Sequence, residues 1–279
     1  MNSIAPHVDT QSPFGTYQAG DAVRFMWRLA DQHKFRQSLR KFFRRISARF
    51  YAGPYDTEVE GLRFRIYPGE NYDDRKMLAK GRLPEKQEHK FLQELLKQGE
   101  TFVDVGANVG TYSLFAAKAG MKVVSLEANP VTASKLQFNA DANGMDDLTV
   151  IVCGAGAQEG TLNLWLEPTN SGFATMVKDL TTGQWAGDWK PVEVQVRPLE
   201  AILRDAKVET VDLLKIDVEG FEDRVLLPFL RGRTQEAWPR VILLETNCRD
   251  FWEEDCLQVL EECGYRVHAE TQDNLVLVR

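Results

Sequence analysis

From about residue 84 onward the chain alternates between two hydrophobic rhythms, and no other feature restricts its fold so tightly. Short apolar runs at 101–105, 122–126, 148–153, 211–216 and 240–244 read as buried strands. Helical patterns separate them. One covers 84–97, with Pro84 in its first turn and Gly99 just past its end; others cover 110–119, then 130–143 closed by Gly144, a stretch after Gly220, and 250–262. Runs at 265–269 and 274–278, parted by polar residues, predict a closing hairpin. Strands that alternate with helices bury both faces of a sheet when they run mostly parallel. The expectation is therefore an α/β fold: a doubly wound, mostly parallel, Rossmann-like sheet that ends in an antiparallel hairpin and carries an N-terminal helical extension.

Two stretches depart from this alternation. Between the third and fourth runs, residues 161–166 and 192–197 read as extended structure around a long loop that contains Asn170, Ser171, Gly172, Trp185 and Trp189. A loop of that length suits a substrate lid, and its tryptophans would either stack on a ring or pack among themselves. Ahead of the alternation, residues 1 to about 20 predict disorder. Residues 21–51 predict a helix with Phe35, Leu39, Phe42, Ile46 and Phe50 at helical spacing. Between residues 34 and 49 that helix holds only basic charges, among them Lys34, Arg36, Lys41, Arg45 and Arg49. A turn at Gly53 and Pro54, a short hairpin near 58–67 and a breaking cluster at 68–74 follow. The expected division is an extension over 1–83 and a main domain over 84–279.

Composition narrows the function. Hydrophobic residues at 43% and charged residues at 27% suit a globular protein, and the net charge of −7 argues against unspecific nucleic-acid binding. Within this acidic chain the basic segment has two readings, a solvated face of a packed helix or peripheral contact with the inner face of an anionic membrane through residues 34–50. The polar start and the lack of a long apolar run predict a cytoplasmic protein without signal or anchor. Cys153, Cys248, Cys256 and Cys263 form no CxxC pair and the four histidines are scattered, so no zinc site, disulfide framework or other metal site is expected.

In an open α/β sheet a ligand binds beyond the carboxyl ends of the strands, where the strand order reverses, and the first strand–turn–helix supplies the floor. Here that turn is DVGANVG, residues 104–110. Gly106 permits a sharp turn, Asn108 is the side chain that best tolerates a left-handed backbone, and Gly110 lets the next helix approach closely. A dinucleotide fingerprint starting at Gly106 would need glycines at 108 and 111, where the chain has Asn108 and Thr111. The spacing disfavours NAD. S-adenosylmethionine has no pyrophosphate to cradle, and a shorter turn is enough for it. Glu127 lies 21 residues beyond Gly106, at the end of the second strand, where a carboxylate can accept from both hydroxyls of a ribose.

Three motifs in this order, VDVGANVGTYSLFAAKAG, SLEANP and LLKIDVEGFE, resemble the FkbM family of class I methyltransferases over roughly residues 84–279. The resemblance implies S-adenosylmethionine as cofactor and, for many members, O-methylation of a saccharide, glycoconjugate or polyketide-like hydroxyl. It implies that Asp104, Gly106, Asn108 and Gly110 line the methionine end, that Glu127 holds the ribose, and that Gly154 and Ala155 border the adenine.

The reaction centre is expected at the end of the fourth run. Lys215, Asp217 and Glu219 alternate there; if the strand persists they share a face, and if it stops at Asp217, Glu219 caps the next helix. Methyl transfer from a sulfonium needs an aligned acceptor and a group that takes its proton. Asp217 is the preferred base, with Glu219 and with Glu245, at the end of the fifth run, as further catalytic candidates. An NAD-linked oxidoreductase and a non-catalytic adenosyl-ligand scaffold are the rival functions.

Overall fold

The computed structural model describes residues 8–32 and 34–279. Helices α1 (Asp21–Ala30) and α2 (Gln37–Phe50) come first. The hairpin of β1 (Tyr55–Val59) and β2 (Leu62–Ile66) follows, then α3 (Tyr72–Lys80) and α4 (Lys86–Leu95). The alternating part opens with β3 (Thr101–Val105), α5 (Thr111–Lys118), β4 (Lys122–Leu126), α6 (Pro130–Ala142) and β5 (Leu148–Ile151). Next come β6 (Gly154–Gly156), β7 (Gly160–Glu167), β8 (Asn170–Thr175) and β9 (Lys190–Pro198). The chain then adds α7 (Leu199–Asp205), β10 (Leu213–Ile216), α8 (Glu222–Arg231), β11 (Val241–Glu245), α9 (Cys256–Glu262), β12 (Arg266–Glu270) and β13 (Asn274–Val278).

Seven strands form the main sheet in the order β12-β13-β11-β10-β3-β4-β5. From β11 to β5 the neighbours are parallel, and β13 and β12 add an antiparallel edge. This is the doubly wound sheet with a closing hairpin that the alternation predicts. The chain winds outward from β3 through β4 to β5 and then returns to place β10 on the other side of β3. The order therefore reverses between β3 and β10, where Asp104 lies opposite Lys215 and Val105 opposite Ile216.

Alternate side chains of each strand feed two cores, one per face. Phe102, Leu213 and Leu243 point to the side covered by the N-terminal elements and by α4–α6, joining Trp27, Phe64, Met77, Leu92 and Leu136. Val103, Leu214 and Leu244 point to the side covered by α7–α9, joining Ile202, Phe229 and Leu260. Residues ahead of Pro84 thus share a core with the main sheet.

Several local expectations change. The predicted helix over 21–51 is two helices, because α1 and α2 fold back on one another across a break before Gln37. Of the stretch expected to be disordered, residues 1–7 lie outside the described residues; the remainder wraps the buried Arg65. Its guanidinium donates to the carbonyls of Asp9, Ser12 and Pro13 and pairs with Asp56 at 2.7 Å. Inside the cluster taken as a breaker, the Asn71 side chain accepts from the Asp73 and Asp74 amides and so starts α3. The run at 148–153 divides: β5 stops at Ile151, and Gly154 opens β6 in a separate sheet ordered β6-β9-β7-β8. The helix expected over 250–262 shrinks to α9, capped by the Asp255 side chain on the Leu257 amide.

Candidate active site

The reversal between β3 and β10 opens into a cleft of about 1230 Å³, part of it facing solvent. Its floor is the turn after β3. Gly106 has φ 80°, and a β-carbon there would stand 1.8 Å from the Asp217 carbonyl oxygen, so no larger residue fits. Asn108 is left-handed, with φ 50°. Its amide donates to Glu127, its side-chain nitrogen to Asp73, and its side-chain oxygen accepts from Asn71. Of the turn residues the sequence singles out, Gly106 and Asn108 line the cleft. Asp104 and Gly110 stand behind it. The Asp104 carboxylate accepts from Ser113 and lies 3.5 Å from the Lys215 ammonium. Gly110 gives room to Leu136 and Leu114, and so sets how closely α5 and α6 pack.

Glu127 ends β4 with its carboxylate bound to the Asn108 and Asn129 amides. Burial pushes it up to about 7 against the pull of those two donors. Gly154 and Ala155 form the wall beside it, together with Leu126, Ala128 and Phe221. Neither glycine nor alanine offers a side-chain hydrogen bond there, and what they provide is a flat apolar slot.

Beyond β10 the carboxyls gather. The strand ends at Ile216, so Lys215, Asp217 and Glu219 do not share a strand face. Lys215 is buried, 2.9 Å from Asp217. Burial alone would lower its pKa, and the carboxylates of Asp217 and Asp104 outweigh that and raise it, so it stays an ammonium. The Asp217 side chain remains 26% exposed to the cleft. Helix capping falls to neither Asp217 nor Glu219. Glu222 holds the turn, accepting from the Val218 and Gly220 amides and from the Trp252 indole. Glu219, left-handed at φ 52°, turns into the cleft near Glu245. Asp217, Glu219 and Glu245 each bring a carboxylate oxygen within 4.8 Å of the others. Burial raises Glu219 and Glu245 well above the usual carboxyl range, and the charge of Asp217 adds to it at Glu219, those of Glu219 and Asp217 at Glu245.

The cleft also recruits residues without a local mark in the sequence. Asp73, at the start of α3, and Glu85, before α4, both face it. Glu85 is left-handed at φ 48°, accepts from the Tyr112 hydroxyl at 2.5 Å, and is pushed up to about 8 by burial and by the charges of Asp73 and Asp217. From the insertion, Asn170, Ser171 and Gly172 line the cleft. Trp185 and Trp189 flank Phe173 at 5.1 and 5.2 Å instead, outside the lining.

Residues 104–267 match the family model described as the methyltransferase FkbM domain. The chain belongs to this family. Similar curated relatives include methyltransferase sdnD of Sordaria araneosa, 29% identical over 199 residues, which cover 59% of this chain and 73% of that protein. Methyltransferase 1 of Beauveria bassiana (strain ARSEF 2860) is 27% identical over 190 residues, covering 61% and 74%. The 31-O-demethyl-FK506 methyltransferase FkbM of Streptomyces tacrolimicus is 28% identical over 206 residues, covering 64% and 77%. This FkbM-family protein is thus an S-adenosylmethionine-dependent methyltransferase, and the oxidoreductase and scaffold readings fall.

The lining suits that cofactor chemically. A carboxylate at the end of β4 matches a ribose diol, and the slot by Ala128, Ala155 and Phe221 matches a flat base. The excess of carboxyls around Lys215, the single cleft-lining cation among the described residues, matches the sulfonium and ammonium of the methionine part.

Proposed function

We propose that this FkbM-family enzyme methylates a hydroxyl of a saccharide, glycoconjugate or polyketide-like acceptor in the cytoplasm, with Asp217 taking the proton of that hydroxyl. The observation that carries this reading is the setting of Asp217, at the carboxyl end of β10, beside the β3 turn, open to the cleft and paired with a permanent ammonium. S-adenosylmethionine supplies an activated methyl on a sulfonium whose sulfur leaves readily. The chain supplies the rest: an oriented acceptor oxygen, a site shielded from water and a base.

Within this reading Glu127 accepts from the ribose hydroxyls, Gly154 and Ala155 border the adenine, and Gly106 and Asn108 flank the methionine end. Asp104 and Gly110 support that turn from behind. Glu219 and Glu245 hold their protons to higher pH than ordinary carboxyls and so serve as donors that orient the acceptor. No metal is assigned to them. The hydroxyl acceptor draws support from the Streptomyces relative, whose name records a 31-O-demethyl substrate. The cytoplasmic setting draws support from four free cysteines, three of them buried.

The test combines calorimetry with labelling. S-adenosylmethionine and S-adenosylhomocysteine should bind and NAD should not. With methyl-labelled cofactor and fractionated glycans, lipids and small metabolites, label should enter a fraction as a base-stable methyl ether. Label recovered solely on nitrogen or carbon would overturn the hydroxyl assignment.

A further inference from the structure

Helix α2 is turned the unexpected way round. At 3.6 residues per turn Leu39, Phe42, Phe43, Ile46 and Phe50 fall within about 100° of one another, a stripe that a surface helix ordinarily presses into the core. Here the inward side instead carries Ser47, fully buried, and Arg44, whose guanidinium donates to the Ala30 carbonyl at 3.2 Å. Much of the apolar stripe faces solvent: Leu39 is 40% exposed, Phe42 55% and Phe50 66%. Lys41, Arg45 and Arg49 run exposed along one flank of the stripe, and Lys34 and Arg36 stand exposed just before the helix. Residues 32–55 contain no acidic side chain in a chain whose net charge is −7.

We propose that this face of α2 docks on a bilayer containing anionic phospholipid, Phe42 and Phe50 entering the interface while the flanking cations meet the headgroups. Two features select this partner. A polyanion without an apolar phase, such as nucleic acid, would satisfy the cations and leave the aromatic stripe in water. A headgroup layer over acyl chains meets both needs at once. The acidic remainder of the protein is repelled by the same surface, so only this side approaches it. α1 and α2 pack together and α1 packs on α3, whose first turn lines the catalytic cleft. Docking through α2 therefore leaves α1 and α3 between the lipid and the cleft. The inference is independent of which acceptor is methylated.

The experiment is co-sedimentation of the full chain with vesicles of phosphatidylcholine, alone or mixed with phosphatidylserine. Deleting residues 1–50 is unsuitable because it would remove Trp27 from the core. Surface variants replace it: Phe42→Ser with Phe50→Ser, and Lys41→Gln with Arg45→Gln and Arg49→Gln. Binding is expected to need phosphatidylserine, to fall severalfold at high salt, to drop at least tenfold in the aromatic variant and to drop roughly 100-fold in the charge variant. Unchanged melting temperature and S-adenosylmethionine affinity show that both variants are folded. Equal binding to both kinds of vesicle, or full binding by the aromatic variant, overturns the proposal. So does self-association in solution, abolished by the aromatic variant, without any vesicle binding by the wild type.

Discussion

Asp217, Glu219 and Glu245 carry the same functional group in three settings, and in the proposed mechanism the settings divide the work. Asp217 faces an ammonium at 2.9 Å, whereas Glu219 and Glu245 face burial and neighbouring carboxylates, Asp217 among them. Asp217→Asn keeps the size and one accepting oxygen and loses the basicity, so kcat should fall roughly 10²-fold or more, with S-adenosylmethionine affinity changed much less. Near-normal turnover in a folded variant would move the base to Glu219 or Glu245. Glu127 gives a second expectation, in pH. Its pKa of about 7 lies above the ordinary carboxyl value, so in the free enzyme the group is ionised above pH 7 and protonated below it. In the proposed binding mode, ribose hydroxyls donate to the ionised form. Cofactor binding should therefore strengthen as pH rises to 7 and weaken as pH falls beneath it, up to roughly tenfold per unit. Calorimetry across pH 6 to 8, marked by about this midpoint, should show the slope in the wild type and a weak, flat response in Glu127→Gln.

The decisive feature among the elements is how the small sheet is stitched over the cleft. The Tyr72 amide donates to the Asn170 side chain at 2.9 Å, and the Ser171 amide to the Glu70 carbonyl at 2.6 Å. These bonds tie the start of β8 to the start of α3 and make the insertion a wall of the cleft, on the acceptor side in the proposed reading. Asn170→Ala removes the first of them and should cost about 1 kcal/mol in stability. Steady-state kinetics should show a higher KM for the acceptor and an almost unaltered affinity for S-adenosylmethionine. An unaltered acceptor KM would mean that the insertion covers the cleft without touching the acceptor.

Across the whole molecule, the segment before Pro84 contributes to a shared core. Trp27 is buried against the hairpin and helices of that core and donates its indole N–H to the Tyr51 carbonyl at 2.8 Å. Trp27→Ala should cost about 3–5 kcal/mol, a large share of a domain's stability. A fall in melting temperature by many degrees would show it. If residues 1–83 instead behave as a separate extension, the same change should leave the main melting transition in place.

The sequence by itself determined the features that short-range physics encodes. Apolar periodicity specified the order of strands and helices, and glycine spacing set the turn at Gly106 and argued against NAD. The end of a strand put Glu127 beside that turn, in the lining of the cleft. Each of these depends on backbone geometry within a few residues. Only the tertiary structure decided what meets what. Asp73 reaches the cleft from outside the alternating region and Glu85 from its very start, since bringing distant segments together costs little more as their separation grows and leaves no local mark. Asp104 and Gly110 read like their neighbours in the turn, yet the packing of Lys215 and Leu136 placed them behind the wall. The residues of α2 show that the helix has an apolar and a basic side. Which side the body covers was decided by packing against α1, because periodicity defines faces and says nothing about the neighbour that covers them.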